Sequence, residues 1–178
     1  MAITATIYKA ELIISDMDRN YYQTHNLTLA RHPSETESRL MLRLLAFALY
    51  ADEFLAYGAG LSSDDEPDLW IRNLRGETEL WIDLGLPSEK RIRQACGKSR
   101  EVVLLCHGAR GALPWWKKMQ GPLKRFRNLK IYFCSDENLA ALTELCNRNM
   151  QVQCSIQDNA IWISADSTGV DLNLTIWQ

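Results

Sequence analysis

Residues 68–85 read DLWIRNLRGETELWIDLG, and this stretch decides how the rest of the chain is expected to fold. Two runs of strand-forming residues flank Arg75-Gly76, a pattern typical of a β-hairpin with a two-residue turn. Such a turn places Trp70 opposite Trp81 and makes one face of the hairpin uniformly aliphatic. We expect the aliphatic face to be buried in the core of the protein.

The same register places Asp68 opposite Asp83 and Arg72 opposite Glu79 on the second face. Directly opposed side chains have Cβ atoms about 4.5–5.5 Å apart, and two carboxylates at that distance repel each other. A cation between them removes the repulsion, and Mg²⁺ or Mn²⁺ suits oxygen ligands. Lys90 follows closely enough in sequence to reach the same end of the hairpin. The hairpin therefore raises an acidic metal site as a hypothesis. The alternative is a solvated face on which the acids splay apart, which is common for paired acids.

The segments outside the hairpin predict an α/β (α+β) class, with a mixed central β-sheet flanked by helices and antiparallel strands at both ends. Residues 101–108 and 129–134 contain continuous apolar runs, typical of strands buried on both faces. An apolar helix is expected after Ser34, which has the capping-box spacing to Glu37. Without a repeat or a linker, residues 1–178 are expected to form a single domain.

The composition excludes several classes of protein. Lys and Arg total 20 and Asp and Glu total 22, so a strongly basic protein that coats nucleic acid is disfavoured, although a local basic patch is compatible with this charge. The five cysteines form no C-x-x-C pair, which argues against a zinc ribbon and a disulfide framework. The sequence has no signal-peptide pattern, and no apolar stretch approaches the length of roughly 18 residues that spans a bilayer. We therefore expect a cytoplasmic protein with no membrane association.

One segment concentrates basic and aromatic residues, namely residues 115–127, WWKKMQGPLKRFR. The pattern favours an amphipathic helix whose tryptophans face inward and whose lysines face solvent. The alternative is a surface that contacts nucleic acid.

Long segments of the chain, in order, resemble the YaeQ family of bacterial proteins. The segments are ATIYKAEL, NLTLARHPSETESRLMLRLLAFAL, LSSDDEPDLW, ELWIDLGLPSEKRIRQAC and CSIQDNAIWI. Because they occur in the same order as in the family, the resemblance covers nearly the whole chain. That family is regarded as a variant of the PD-(D/E)xK nuclease fold. The resemblance therefore implies a restriction-endonuclease-like core.

The resemblance also implies roles for individual residues. Asp68, which follows Pro67, matches the first acid of the nuclease pattern, and Asp83 matches the second. Gly85 stands where the pattern has a lysine, and Lys90 on the following helix is the implied substitute. The helix-borne acid that many nucleases use as a further metal ligand corresponds to Glu37 or to its neighbour Glu35.

Three more residues belong to the predicted site as substrate contacts. Gln94 lies one turn after Lys90 on the same face of the predicted helix, where it is placed to hold a phosphate. Trp70 and Trp81 offer rings on which unpaired bases can stack. Ordinary packing of the two rings across the hairpin is the alternative that we favour.

Three functions follow as hypotheses. The first is Mg²⁺- or Mn²⁺-dependent hydrolysis of phosphodiesters in nucleic acid. The second is a catalytically degenerate nuclease fold that binds single-stranded or branched nucleic acid, or a protein of the transcription or repair machinery. The third is an intracellular domain whose acidic pocket takes some other ligand. The sequence does not indicate an oligomeric state.

Overall fold

A computed structural model describes residues 4–59, 63 and 65–178. Within those residues, eleven strands form two mixed sheets accompanied by four helices, which confirms the predicted mixed α and β class. The chain divides into two compact units, one of Met1–Ala48 and Glu137–Asn173, the other of Leu49–Asp136 and Leu174–Gln178. The described strands form one sheet in each unit, where the sequence predicted a mixed central sheet with antiparallel strands added at both ends.

The elements follow one another along the chain in an order that interleaves the two units. They are β1 (Thr6–Asp16), β2 (Tyr21–Arg31), α1 (Glu37–Tyr50), β3 (Leu55–Tyr57), β4 (Leu69–Arg72), β5 (Thr78–Leu84), α2 (Glu89–Lys98), β6 (Ser99–Cys106), α3 (Ala109–Leu123), β7 (Leu129–Phe133), α4 (Asp136–Thr143), β8 (Asn149–Gln157), β9 (Ala160–Ala165), β10 (Thr168–Leu172) and β11 (Thr175–Ile176). None of these helices, within the residues described, is long and apolar enough to cross a membrane.

The first unit is built on a sheet with the strand order β10-β9-β8-β1-β2. β1 pairs antiparallel with β2, as expected for an N-terminal hairpin, and parallel with β8 from the end of the chain. Alternate residues of β1 from Tyr8 to Asp16 are buried, which is the period-2 pattern of a strand with one face in the core. Every residue of α1 from Leu40 to Ala48 is also buried.

The start of α1 differs from the prediction. Thr36 caps the helix, because its Oγ1 accepts the N–H of Arg39 at 3.1 Å. Ser34 lies instead in a turn closed by the Glu35 N–H and the His32 carbonyl, and its hydroxyl contacts His32 Nδ1 at 2.6 Å. The predicted capping box that begins at Ser34 is therefore wrong, since the turn holds its side chain before the helix starts.

The second unit contains a sheet with the strand order β11-β7-β6-β5-β4-β3. Strands β3, β4 and β5 form an antiparallel meander, and β5, β6 and β7 are parallel to one another. The crossover helices α2 and α3 pack on one face of this sheet, where Ile92 and Leu123 join a single buried cluster with Trp81, Leu104 and Ile131. The carboxyl ends of β5, β6 and β7 consequently share one edge of the sheet with the amino ends of α2 and α3.

The hairpin of β4 and β5 has the predicted register over part of its length. Trp70 pairs with Trp81 as expected, but Arg72 pairs with Thr78 rather than with Glu79. The turn is longer than predicted: Asn73 bonds to Glu77 across three residues that end in a glycine of positive φ. A bulge between Ile71 and Arg72 absorbs the extra residue, so the register of the acid-bearing end is preserved.

Candidate functional site

Asp83, the acid predicted on the second hairpin strand, is held by an arginine. Arg91 of α2 donates its Nε to Oδ2 at 2.7 Å and its Nη2 to Oδ1 at 3.0 Å. The Asp83 side chain is 4% exposed and that of Arg91 is 26% exposed. A two-pronged, charge-assisted pair of this kind neutralises the buried carboxylate. The guanidinium thus supplies a positive charge to the acid that the sequence predicted as a metal ligand.

Asp68 lies directly before β4, at the same end of the hairpin. Its backbone N–H donates to the Ile82 carbonyl at 3.0 Å, and its Oδ2 accepts the Leu84 N–H at 2.8 Å. These two partners flank Asp83 in sequence, so the structure brings Asp68 to the residues on either side of the second acid. Asp68 is 6% exposed, and the predicted pair of acids therefore lies within the folded protein rather than on a solvated face.

Arg91 was not predicted for the site, because the nuclease pattern points to a lysine and Lys90 lies directly beside it. Ile92 and Ala95 face the core, and consecutive helix residues are about 100° apart, so Arg91 borders the buried face of α2. Its Nη2 also donates to the Glu66 carbonyl at 2.9 Å, and its guanidinium lies 5.6 Å from the centre of the Trp81 ring. The helical position relative to Ile92 is the signal that could have identified it.

Lys90 and Gln94, both predicted for the site, lie on the exposed side of α2. The hydrogen bonds and ion pairs of the described residues include none from either side chain to the two aspartates. Both residues remain predictions as phosphate or substrate contacts.

The helix-borne acids belong to the first unit, and each has its own partners there. The Oε1 and Oε2 of buried Glu35 accept Nε and Nη2 of Arg43 at 2.9 Å, and Oε1 also accepts from Arg39 at 3.1 Å. Glu37 is exposed and its Oε1 accepts the hydroxyl of Tyr8 at 3.0 Å. Burial and this carboxylate together raise the pKa of the Tyr8 hydroxyl. The contacts of Glu35 are those of a structural ion pair.

A divalent metal at the aspartates would have to compete with the hydrogen bonds that their oxygens already accept. Both oxygens of Asp83 bind Arg91, and one oxygen of Asp68 binds a backbone N–H. Among the residues that the structure describes, no group of three or more His, Cys, Asp or Glu side chains is arranged to hold a metal ion. The Mg²⁺ or Mn²⁺ predicted from the sequence stays a prediction.

The tryptophans of the hairpin pack against each other. Trp70 and Trp81 meet edge to face with ring centres 6.4 Å apart, and Trp81 is only 5% exposed. The guanidinium of Arg72 covers the Trp70 ring at 4.2 Å. These contacts are the cross-strand packing that we favoured, and they leave little of the Trp81 ring for a base to stack on.

The cysteines offer no nucleophile. All five are free, and Cys106, Cys134 and Cys154 are buried. Burial raises the pKa of Cys106 and Cys154 to about 12 and that of Cys134 to about 11, so each is a neutral thiol near pH 7. Cys106 and Cys134 are therefore thiols of the protein core.

Taken together, the fold and the site define an α+β protein with two mixed sheets, in which two buried aspartates, one of them paired with an arginine, lie at the end of a hairpin in the six-stranded sheet. The family model described as YaeQ protein matches residues 1–174, and the chain belongs to the YaeQ family. The family resemblance seen in the sequence is thereby confirmed.

Individual relatives cover almost the whole chain. An uncharacterised protein YaeQ of Escherichia coli (strain K12) is 48% identical over 178 residues, which are 100% of this chain and 98% of the relative. The crystal structure of a YaeQ protein from Xanthomonas axonopodis pv. citri matches with a TM-score of 0.95 and 50% identity, covering 98% of this chain and 99% of that one. A YaeQ protein from Pseudomonas syringae matches with a TM-score of 0.92 and 32% identity, covering 98% and 96%.

Proposed function

We propose that this chain is a nuclease-like domain that binds nucleic acid without cleaving it. The two-pronged pairing of Asp83 with Arg91 carries the proposal, because it engages both oxygens of the second acid of the nuclease pattern with a guanidinium. Gly85 stands where that pattern has a lysine, and it has a positive φ of 100°. Asp83 then anchors the hairpin to α2 through Arg91.

The order of elements in the second unit supports the nuclease-like part of the proposal. The antiparallel strands β3, β4 and β5 are followed by α2 and by the parallel strand β6, and the two acids lie at the start of β4 and near the end of β5. This is the arrangement that the acid-after-proline and acid-x-lysine pattern requires. A shared fold does not by itself carry a shared activity.

Metal-dependent phosphodiester hydrolysis is the second candidate, and one observation favours it. Asp68 is 6% exposed and Asp83 is 3% exposed, and they lie at neighbouring strand ends. Carboxylates are rarely buried in a core that has only a structural role. For this function Arg91 would have to release Asp83, whose carboxylate would then bind the divalent metal ion instead. The two candidates therefore differ in whether the pair with Arg91 persists.

The experiment combines binding, cleavage and thermal unfolding of the intact protein. We expect labelled single-stranded, branched or duplex DNA to be bound and recovered uncut in the presence of Mg²⁺ or Mn²⁺. We also expect the metals to leave Tm unchanged, whereas an ion at 100 times its Kd would add about 2.7 kcal/mol, or about 5–10 °C at this chain length. The matched variants are Asp83→Asn and Arg91→Ala.

Metal-dependent cleavage that is lost in Asp83→Asn would overturn the non-cleaving proposal in favour of hydrolysis. A rise in Tm with Mn²⁺ only in Arg91→Ala would show that the arginine itself keeps the metal out, as the proposal requires. Failure to bind any nucleic acid would overturn the proposed ligand and leave a protein of the transcription or repair machinery as the partner to seek.

A further inference from the structure

Positive charge is concentrated in one part of an otherwise slightly acidic chain. The net charge of the whole chain is −2, from 20 Lys and Arg against 22 Asp and Glu. Residues 88–127, which contain α2, β6 and α3, hold eleven of those basic residues and only two of the acids, Glu89 and Glu101. The rest of the chain is correspondingly acidic, so the segregation is not visible in the total charge.

The fold places this charge on one outer layer of the second unit. Helices α2 and α3 bury one face each against the same side of the sheet, through residues such as Ile92 and Met119. Their other faces are exposed and carry Lys90, Arg93, Arg110, Lys117 and Lys118, and the exposed Lys124 follows directly after α3. We call these six residues the basic layer.

Little negative charge lies within the layer to neutralise it. Neither helix contains an acid except Glu89, which accepts from Arg125 at 3.0 Å. In the described parts of the chain, no ion pair engages a residue of the basic layer. Unpaired cations in this number create a local positive potential that attracts a polyanion.

The aromatic residues of α3 do not add stacking platforms to the layer. Trp116 stacks on Trp177 with ring centres 5.2 Å apart, and Trp177 stacks on Phe133 at 4.7 Å. The Trp115 Nε1 donates to the Pro87 carbonyl at 3.1 Å, and this hydrogen bond fixes the orientation of the Trp115 ring. Sequence-independent proteins that prefer single strands combine basic grooves with rings on which bases stack. The layer supplies charge without free rings, which suits the phosphates of a duplex.

We propose that the basic layer binds the phosphate backbone of duplex nucleic acid. This inference rests on the proposed function and names the surface that performs it. Contacts to phosphates position a protein on a duplex and carry no direct sequence information. Binding is therefore expected to be largely independent of sequence and to weaken steeply as salt increases.

The test compares two double charge reversals in the full chain, with a labelled duplex of random sequence as the probe. Lys117→Glu/Lys118→Glu reverses two residues of the basic layer. Lys9→Glu/Arg75→Glu makes the same change in net charge at exposed residues elsewhere. We expect the layer variant to weaken duplex binding at least about tenfold and to flatten its salt dependence by roughly one contact per lysine. The control should change affinity by less than about threefold.

The outcomes separate this inference from the proposed function. If the parent binds duplex and both variants weaken it equally, the basic layer is not the surface, although the proposed function stands. If the parent prefers the same sequence as a single strand, the assignment to duplex backbone is overturned. Binding to vesicles with anionic lipids but to no nucleic acid would overturn both proposals, because exposed Leu113 beside the lysines also suits a membrane surface.

Discussion

At the scale of single residues, Arg91 and Lys90 are neighbours of like charge with different surroundings. Arg91 pairs with a carboxylate that is 4% exposed, whereas Lys90 lies on the solvent side of α2. Removing one partner of a buried pair leaves the other charge uncompensated, which typically costs about 3–5 kcal/mol. Because Arg91 is itself partly exposed, we expect Arg91→Ala to lower the free energy of unfolding by about 2–3 kcal/mol in urea denaturation.

Lys90→Ala is the matched control, and we expect it to change stability by less than about 0.5 kcal/mol. Equal effects of the two substitutions would contradict the assignment of Arg91 as the partner of Asp83. The pair also shows why sequence reasoning placed the cation one residue too early. The choice between adjacent helix positions depends on which face of α2 is buried, and Ile92 sets that face.

Glu35 and Glu37 form a second instructive comparison. Both oxygens of Glu35 accept from Arg43, whose side chain is 8% exposed, while Glu37 accepts one hydroxyl at the surface. We expect Glu35→Ala to cost about 3 kcal/mol or more, since it leaves a buried guanidinium without its carboxylate. Glu37→Ala should cost about 1 kcal/mol or less.

Chemical denaturation of the two variants measures this difference directly. A mild effect of Glu35→Ala, with a Tm that responds to Mn²⁺ in the parent only, would indicate a metal ligand instead of a structural ion pair. The sequence could name both acids as candidates for the helix start. Only the positions of Arg39 and Arg43, one and two turns along the helix, decide which acid is committed to the fold.

At the scale of secondary structure, the start of α1 tests how a cap is chosen. Thr36 accepts the N–H of Arg39, whereas Ser34 is engaged with His32 in the preceding turn. Removing an N-cap hydroxyl costs about 1 kcal/mol, so Thr36→Ala should lower the free energy of unfolding by about that amount. Ser34→Ala should have less than half that effect, and the reverse order in thermal unfolding would restore the predicted cap.

The hairpin shows what a strand pattern can and cannot specify. The alternation of apolar residues correctly paired Trp70 with Trp81. It could not reveal the three-residue turn, because Gly76 supplies a positive φ that serves several turn types equally well. The bulge beside Arg72 then corrected the register before the acids. The prediction missed both the longer turn and the bulge, and their effects on the register cancel. The register at the acid-bearing end was therefore predicted correctly.

At the scale of the whole molecule, the sequence indicated the elements better than their assembly. The strands at both ends of the chain were predicted as antiparallel additions to a core with a mixed central sheet. In the structure β1 pairs in parallel with β8, from residues that lie more than a hundred positions later. Such a pairing joins two segments that both alternate with period 2, and their local sequence does not encode which partner each will take. The family and the class could be predicted, but the two-sheet arrangement could not.

The segregated charge of the molecule also has a consequence for stability. Unpaired lysines and arginines of the basic layer repel one another at low salt, where the Debye length is about 30 Å. Near physiological salt the Debye length falls to about 8 Å, and the repulsion is much weaker. We therefore expect the Tm of the parent to rise by about 1–2 °C between about 10 mM and 150 mM NaCl, equivalent to roughly 0.5 kcal/mol. Differential scanning calorimetry in both buffers provides the measurement.

The charge reversals sharpen this prediction. Lys117→Glu/Lys118→Glu relieves the repulsion within the layer and should be at least as stable as the parent at low salt, with a smaller response to added salt. Lys9→Glu/Arg75→Glu adds negative charge to the acidic remainder of the chain and should gain no stability. A layer variant that is both destabilised at low salt and defective in binding would show that Lys117 and Lys118 serve the fold. A variant that binds less while unfolding no more easily would show that their charge is retained for a partner at some cost in stability.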